Sequence, residues 1–228
     1  MTDGLVSIVL PVYNQADHIG QVVAEYVVAL DRTGWPYELV LVPNNCRDAS
    51  NTVCRELAER FPHVRSVESV EGGWGRAVRV GLAASEGEFL CYTNSARTTP
   101  DELTTVLLYS RMHPEMVVKA NRRVREAWTR RLGSLLYNLE VRALFDLAVW
   151  DVNGTPKVFP RMHTNLLALT RNDDLIDAEF NAICRREGYP MVEVPTFSSH
   201  RHGGESTTTM RSAQRLYTGA YKLWREMA

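Results

Sequence analysis

The regular alternation of short aliphatic runs with longer helical patterns constrains the fold of this chain more than any other feature. Between residues 6 and 119, runs of four to seven mostly aliphatic residues are separated by segments whose apolar side chains recur at helical spacing. The predicted strands cover residues 6–12, 38–42, 64–67, 88–92 and 116–119, and the predicted helices cover 16–30, 49–61, 75–84 and 100–112. This alternation predicts an α/β fold with a mostly parallel central sheet flanked by helices.

The second half of the sequence is less regular. Its periodicity predicts helices at residues 128–147 and 174–187, the latter ended by Gly188, and a strand at 191–194. Glycine and proline interrupt residues 151–161, and a polar stretch at 198–209 precedes a final helix. Because no internal repeat or long linker separates these segments, we predict one domain over residues 1–228.

Composition limits the partners and the location of the protein. The net charge is −1, so a general attraction to nucleic acid is not expected. No stretch approaches the roughly 18 apolar residues of a membrane-spanning helix, and no basic-then-apolar leader precedes the first strand. The four cysteines form no CxxC pair, which is typical of a reducing compartment. We therefore expect a cytoplasmic protein with at most peripheral membrane contact.

The strand ends indicate where a ligand would bind. In open parallel sheets, ligands bind outside the carboxyl ends of the strands. In this sequence those ends are followed by residues 11–15, 43–48, 93–97 and 119–123. The chemistry is expected on these four segments.

Seven short motifs follow one another along the chain. They are the run at 6–14, Gly73-Trp74-Gly75-Arg76-Ala77, the run at 87–92, Arg131 with Ser134 and Asn138, Asp151 with Gly154 through Arg161, Asp177 with Glu179, and Gly188-Tyr189 with Glu193-Val194-Pro195. In this order they resemble family 2 glycosyltransferases of the GT-A (nucleotide-diphospho-sugar transferase) fold. The later motifs are similar to the polyprenyl-phosphate sugar transferase branch of that family.

The resemblance implies a division of labour along the chain. Residues 1–122 would form a nucleotide-binding half, and residues 123–228 an acceptor-binding half with the C-terminal helix. The donor would be a UDP- or GDP-linked sugar, the acceptor a polyprenyl phosphate or a small hydroxylated molecule, and a homo-oligomer is left open. The residues implied to contact the donor are Pro11, Tyr13, Asn44, Asp48, Gly73, Gly75, Arg79, Asn94 and Arg97.

Three departures from the family pattern concern acidic residues. The chain has Pro43-Asn44-Asn45 where the family has an acidic pair, and Asn94-Ser95-Ala96 where it has the metal-binding Asp-x-Asp. Gln15 stands in place of a common glutamate. Because Mg²⁺ and Mn²⁺ prefer carboxylate oxygens, we expect no metal cofactor. Cations would then bind the phosphates directly, the candidates being Arg79, Arg97, Lys119, Arg122, Lys157 and Arg201.

Carboxylates of the second half are the candidates for catalysis. Asp177 and Glu179, at a helix start, are the best candidates for a general base, and Asp151 is expected to orient the acceptor or its own segment. The alternative for Asp177 and Glu179 is stabilisation of the helix N-terminus. A phosphate acceptor would need no base, and Asp177 would then position sugar hydroxyls.

Two segments and the overall function each admit more than one interpretation. Residues 119–131 carry six basic residues and one acid, which favours either a phosphate or membrane surface or a solvated face. The apolar stripe of residues 128–143 is typical of core packing, and joined to a basic end it also suits an interfacial helix. The whole protein is either an active transferase, a catalytically inactive nucleotide-sugar-binding or scaffold protein, or a related nucleotide-using enzyme such as a nucleotidyltransferase, whose acidic metal cluster we do not find.

Overall fold

A computed structural model describes residues 4–123, 128–197 and 210–227, with side chains described in 4–123, 133–197 and 215–227. The strands are β1 Val6–Val12, β2 Tyr37–Pro43, β3 Val64–Ser66, β4 Phe89–Tyr92, β5 Val117–Arg122, β6 Lys157–Pro160 and β7 Met191–Thr196. The helices are α1 Ile19–Asp31, α2 Ser50–Arg60, α3 Trp74–Ala84, α4 Pro100–Met112, α5 Trp128–Phe145, α6 Ile176–Glu187 and α7 Met210–Met227, with a 3₁₀ turn at Thr164–Leu167.

All seven strands belong to one sheet in the order β3-β2-β1-β4-β6-β5-β7. Every neighbouring pair is parallel except those of β6, which runs antiparallel to both β4 and β5. The predicted mostly parallel sheet flanked by helices is therefore confirmed. The antiparallel orientation brings the start of β6 to the same edge as the carboxyl ends of the other strands.

Strand β6 was not predicted from the sequence. Its four residues lie in the segment that Gly154 and Pro156 interrupt, and it ends at Pro160. All four residues are buried, because β6 fills the gap between β4 and β5 in the middle of the sheet. Strands β4 and β5 provide the hydrogen-bonding partners that such a short segment needs.

Local sequence signals explain several element boundaries. Thr99 and Glu102 form a reciprocal capping box at the start of α4, with Pro100 in its first turn. Gly188 adopts a left-handed conformation with a φ of 68° and ends α6. Pro195 lies inside β7 rather than after it, which a strand at the edge of the sheet tolerates.

Apolar side chains fill both faces of the sheet. On one face, alternate residues of β1 pack with α1, α2 and α4, and on the other Val9 packs with α3 and α6. A third cluster joins α5, α6 and α7 through Tyr137, Val141 and Leu223. Within the described residues, no helix is long and apolar enough to cross a membrane.

Candidate active site

Hydrogen bonds join the loops after β1 and β2 at the carboxyl edge of the sheet. Asn14, at a φ of 49°, accepts the Arg47 amide proton at 2.8 Å. The Asp48 carboxylate accepts the amide protons of Ala16 and Ser50, each at 3.0 Å. Burial opposes its ionisation, but these hydrogen bonds outweigh burial and hold the pKa of Asp48 below its usual value. Asp48 therefore shapes the donor-side loop.

Two other predicted donor contacts lie at the end of β1 and just after it. Pro11 is buried at the end of β1, and its carbonyl faces the Ser95 hydroxyl at 3.5 Å. Tyr13, two residues later, is 40% exposed. The Tyr13 ring is therefore accessible at this edge, whereas Pro11 is buried.

Asn44 ties three segments together beneath these loops. Its amide nitrogen donates to the Val12 carbonyl at 2.7 Å, and its amide oxygen accepts the Gly73 amide proton at 3.2 Å. An ionised aspartate could not donate to Val12, so this arrangement requires the amide. The need to donate to Val12 and accept from Gly73 at once explains why position 44 carries a neutral amide.

The Asn94-Ser95-Ala96 turn makes its own hydrogen bonds. The Asn94 side-chain oxygen accepts the Ala96 amide proton at 3.0 Å, and the Ser95 hydroxyl donates to the Gln15 side chain at 2.7 Å. Ala96 offers no side-chain ligand and is 3% exposed. Within the described residues, no group of three His, Cys, Asp or Glu side chains is placed to hold a metal. The residues present at this turn do not fit a divalent cation.

Glycines 73 and 75 lie against another loop of the chain. A Cβ at Gly73 would lie 2.3 Å from the Asn172 carbonyl oxygen, and one at Gly75 would lie 2.5 Å from that of Arg171. The Arg76 amide at the start of α3 donates to the Asn172 carbonyl at 3.0 Å. These glycines accommodate the loop at 170–173 of the chain itself.

The same loop also binds Arg79, which was expected near the phosphates. The guanidinium donates to the Thr170 carbonyl at 3.1 Å and to the Asn172 side chain at 2.6 Å. From the other side, Glu179 accepts the Thr170 hydroxyl at 2.6 Å and the Arg171 amide at 2.9 Å. Glu179 is 5% exposed. In this arrangement Arg79 and Glu179 hold the loop from two sides.

Two lysines expected to bind phosphate are fully buried at the carboxyl edge. Lys119 and Lys157 face each other across β5 and β6, and both are 0% exposed. The Lys157 ammonium binds the Asp177 carboxylate, while the Lys119 ammonium donates to the Asp151 carbonyl and lies 3.5 Å from Glu193. Both charges are matched by internal carboxylates, Glu193 for Lys119 and Asp177 for Lys157.

Burial shifts the acid–base properties of this cluster. It lowers the pKa of Lys119 to about 8, and the Lys157 charge acts in the same direction. Burial also lowers the pKa of Lys157, although Asp177 opposes it. Tyr92 donates its hydroxyl to Asp177 at 2.9 Å, and burial followed by the Asp177 charge raises the pKa of Tyr92 well above its usual value. Asp177 is thus a buried carboxylate with two partners.

Arg122 and Asp151 form the outer part of the cluster. The Arg122 guanidinium binds both carboxylate oxygens of Asp151, at 2.8 and 3.0 Å, and its side chain remains 30% exposed. Gly154 allows the 151–154 turn to lie against the Ala120 carbonyl, since a Cβ there would come within 1.9 Å of that oxygen. The Asp151 carboxylate thus fixes the Arg122 guanidinium at this edge of the sheet.

Arginines account for the rest of the cations singled out in the sequence. Arg97 is half-buried on the turn after β4 and has interactions of its own. Arg201 lies outside the described residues, as does the rest of the polar stretch at 198–209. The side chain of Arg131 is also outside the described part of α5.

Three residues that organise the site were not among the predicted site residues. Glu193 accepts the amide protons of Trp150 and Asp151, at 2.8 and 3.0 Å. Asn138 of α5 accepts the Val152 amide at 2.8 Å, and Tyr92 contacts Asp177. Each belongs to one of the seven sequence motifs, but its partner lies 14 to 85 residues away, so only the fold connects them.

The structure resembles solved enzymes along nearly its whole length. Glucosyl-3-phosphoglycerate synthase from Mycobacterium tuberculosis, solved with Mn²⁺, UDP and phosphoglyceric acid, superposes with a TM-score of 0.73 at 17% identity, covering 97% of this chain and 78% of that one. A second structure, of a mycobacterial protein, gives a TM-score of 0.72 at 17% identity, with 98% and 74% covered. At these identities the likeness shows the fold, which is that of the GT-A glycosyltransferases.

Sequence comparison identifies the family. The model of glycosyl transferase family 2 matches residues 7–187, and the chain belongs to that family. It is 24% identical over 206 residues to an undecaprenyl-phosphate 4-deoxy-4-formamido-L-arabinose transferase of Edwardsiella ictaluri, covering 88% of this chain and 62% of the relative. The enzyme of the same name from Pseudomonas fluorescens Pf0-1 is 26% identical, with 88% and 59% covered. The chain thus spans about three fifths of these relatives' length.

Proposed function

We propose that this chain transfers a sugar from a UDP- or GDP-linked donor to a polyprenyl phosphate, without a bound divalent cation, at the cytoplasmic surface of a membrane. Family membership supports sugar transfer. The names of the relatives specify undecaprenyl phosphate, which supports a lipid-phosphate acceptor. Because the chain spans only part of those proteins, its acceptor needs support from the site.

The engagement of both candidate bases supports a phosphate acceptor. A hydroxyl acceptor must lose a proton to a general base as it attacks the sugar. Asp177 is 4% exposed and bound to Lys157 and Tyr92, and Glu179 is bound to the loop at 170–171. A phosphate oxygen is already anionic and needs no base. Of the two acceptor classes considered from the sequence, the polyprenyl phosphate is therefore favoured over the small hydroxylated molecule.

Protein cations would stabilise the leaving diphosphate in this scheme. Negative charge develops on the leaving group as the glycosidic bond breaks, and preorganised positive charge lowers the barrier. Arg122 is fixed by both oxygens of Asp151 yet remains partly exposed at the carboxyl edge. Arg97 follows the Asn94-Ser95-Ala96 turn, where the resemblance places the metal-binding carboxylates of the family. We assign phosphate contact to these two arginines, while Tyr13 supplies a ring for the base.

A second function uses the same fold without catalysis. The absence of a fitting metal-ligand set at Asn94-Ser95-Ala96 also favours a nucleotide-sugar-binding or scaffold protein. Such a protein would bind a donor and leave it intact.

Transfer assays with a panel of UDP- and GDP-sugars test the proposal. Each donor is incubated with a short-chain polyprenyl phosphate or the corresponding prenyl alcohol, in EDTA or in Mn²⁺. We expect turnover with the phosphate in EDTA at a rate within about threefold of that in Mn²⁺, and none with the alcohol. Strict dependence on Mn²⁺ would contradict the proposal, and donor binding without turnover in any condition would select the scaffold function.

A pair of neighbouring arginines provides the matched variants. Arg122→Gln removes the guanidinium held by Asp151 and is expected to reduce turnover by about 10²- to 10³-fold, as removal of one transition-state donor does. Arg123→Gln removes an exposed charge of the same size next to it and is expected to change turnover less than about threefold. Equal losses in both variants would remove Arg122 from the assigned site.

A further inference from the structure

Four donor groups surround the Glu193 carboxylate beside the candidate active site. Glu193 lies on β7 opposite Lys119 of β5, and its side chain is 14% exposed. Its Oε2 accepts the Trp150 amide proton at 2.8 Å, and its Oε1 accepts that of Asp151 at 3.0 Å. The Asn121 side chain donates to Oε2 at 3.3 Å, and the Lys119 ammonium lies 3.5 Å from Oε1. One carboxylate thus joins β5 and β7 to the chain at 150–151.

The two backbone donors belong to a segment without regular structure. Residues 146–156 connect α5 to β6 and form neither a helix nor a strand. Backbone amides in such a segment need partners other than a helix turn or a neighbouring strand. Glu193 binds two successive amides, those of Trp150 and Asp151, and Asn138 binds the next one. Because each peptide group is planar, binding two in succession fixes the direction in which the Asp151 side chain leaves the backbone.

Asp151 transmits this constraint to the partly exposed arginine of the site. Asp151 is 2% exposed, and its two carboxylate oxygens bind the Arg122 guanidinium at 2.8 and 3.0 Å. One of them also accepts the Arg122 amide proton at 3.2 Å. A bidentate pair of this kind fixes the plane of the guanidinium group as well as its distance. The position of the Arg122 guanidinium therefore depends on where Glu193 holds the turn.

A neutral side chain of the same size does not replace the Glu193 carboxylate. All four neighbouring groups donate protons, and an ionised carboxylate only accepts them. Glutamine would turn an NH₂ group toward the donors on one side, and a buried donor left without an acceptor is costly. Glu193→Gln therefore releases at least one of the two backbone amides while it keeps the volume of the side chain.

We propose that Glu193 is a positioning residue for sugar transfer, which holds the Arg122 guanidinium at the leaving diphosphate through the amide groups of Trp150 and Asp151. This role rests on the proposed function, since it takes Arg122 as a phosphate contact. Glu193 touches no substrate, and no bond forms or breaks at its carboxylate. Its effect on turnover passes through Arg122 and disappears when the guanidinium is absent.

Glu38 provides a matched control at the opposite edge of the sheet. It lies near the start of β2 and is 7% exposed. Its carboxylate accepts the Ser7 hydroxyl and the Glu86 amide proton, the latter at 2.7 Å, and pairs with Arg65 at 3.0 Å. Glu38 thus also joins strands to a loop and faces a cation. Both Glu38→Gln and Glu193→Gln are expected to lower the melting temperature, because each leaves a donor without its acceptor.

A double-mutant cycle with Arg122 tests the path of the effect, in transfer assays below the melting temperature of every variant. E193Q is expected to lower kcat by about 10- to 100-fold, the range produced by small displacements of a catalytic group. In the R122Q background the same change is expected to lower kcat by less than about twofold. E38Q is expected to have an effect below about threefold in either background. Equal factors for E193Q in both backgrounds would indicate a merely structural role and overturn the proposal.

A milder variant covers the case in which E193Q does not melt cooperatively. Glu193→Asp keeps the negative charge beside Lys119 and withdraws the carboxylate by one carbon from the two amides. It takes the place of E193Q in the cycle, and the same loss confined to the background that contains Arg122 is expected. A loss of kcat by equal factors in both backgrounds would again overturn the positioning role.

Hydrogen exchange at the Arg122 side chain separates this proposal from the proposed function, because it requires no turnover. The Arg122 Nε–H signal in NMR spectra is identified by its absence in R122Q. Its exchange with water is expected to become about tenfold faster or more in E193Q and to stay at the parental rate in E38Q. Parental exchange in E193Q would overturn the positioning role. Faster exchange in E193Q, combined with no turnover of any donor by the parent, would refute sugar transfer and leave the hold of Glu193 on Arg122 standing.

Discussion

At the scale of single residues, the carboxyl edge is dominated by buried charge. The Lys157 ammonium lies over the rings of Tyr92 and Phe180, 5.3 and 5.8 Å from their centres, and binds Asp177. Withdrawing two charges from water costs several kcal/mol per ion, and the pairing offsets this cost only while both partners are present. The pair therefore tightly couples β6 to α6 at the edge where the substrates are expected.

Removal of one partner is predicted to be far more damaging than removal of both. Lys157→Met leaves the Asp177 carboxylate buried with Tyr92 and is expected to lower the free energy of unfolding by about 3–5 kcal/mol. The double variant K157M/D177N is expected to recover a large part of this loss, because no uncompensated charge remains. Urea unfolding of the parent, the single and the double variants measures the difference.

A lysine-to-methionine substitution at an exposed position is the control. Lys222→Met on α7 removes the same charge from a solvated position and is expected to change the unfolding free energy by less than about 0.5 kcal/mol. A loss of similar size in K157M and K222M would mean that the ion pair is not formed as described.

At the scale of elements, the start of α3 and the loop at 170–173 form a unit. Gly73 and Gly75 admit the backbone of the loop, and Arg79 and Glu179 bind it from α3 and α6. In this arrangement the α3 N-terminus donates to a carbonyl of the protein itself. The glycine turn therefore shapes the donor side of the site indirectly, by fixing the loop.

Gly75→Ala tests this packing. The new Cβ would lie 2.5 Å from the Arg171 carbonyl oxygen and 2.7 Å from that of Asp173, so the loop must move. We expect a loss of about 1–3 kcal/mol in the free energy of unfolding, typical of overpacking, and weaker donor binding. Chemical denaturation and donor titration measure the two effects.

Gly20→Ala is the matched substitution in α1. A Cβ at Gly20 meets no atom within 4 Å, so alanine is expected to be neutral or to stabilise the protein by up to about 1 kcal/mol. If G75A and G20A change the free energy of unfolding equally, the contact between α3 and the loop is not as close as described.

At the scale of the whole molecule, the two halves of the sequence build one sheet. Strands β6 and β7 come from the second half, and both flank β5 from the first. The buried Lys119 of β5 is matched by the Asp151 carbonyl and by Glu193, also from the second half. The expected nucleotide-binding and acceptor-binding halves therefore share one sheet and are not separate structural units.

A fragment ending at residue 122 is predicted not to fold by itself. Without residues 123–228, β5 loses both neighbours, β4 loses one, and Lys119 loses its partners. We expect no cooperative thermal transition in circular dichroism, in contrast to the full chain. A sharp melting transition together with a dispersed NMR spectrum of the fragment would instead establish an independent nucleotide-binding half.

The sequence by itself determined most elements, the class of the sheet and the family. Strands β1 to β5 and the helices between them lie close to their predicted positions. Burial of one face makes apolar residues recur at the helical or strand period, and this recurrence is visible in the local sequence. The absence of a carboxylate at residues 94–96 was also readable directly. The structure adds a reason for the amide at Asn44, which hydrogen-bonds to both Val12 and Gly73.

Only the tertiary structure decided which charged residues reach the site. Lys119, Lys157, Asp177 and Glu179 look alike in the sequence, as polar residues near element ends, yet all four are buried and engaged. Their surroundings depend on β6, whose pairing with β4 and β5 has no local signature, and on contacts such as that of Arg79 with Asn172, 93 residues away. Local periodicity reports the face on which a residue lies, whereas the partner across that face is set by chain segments that meet only in the folded protein.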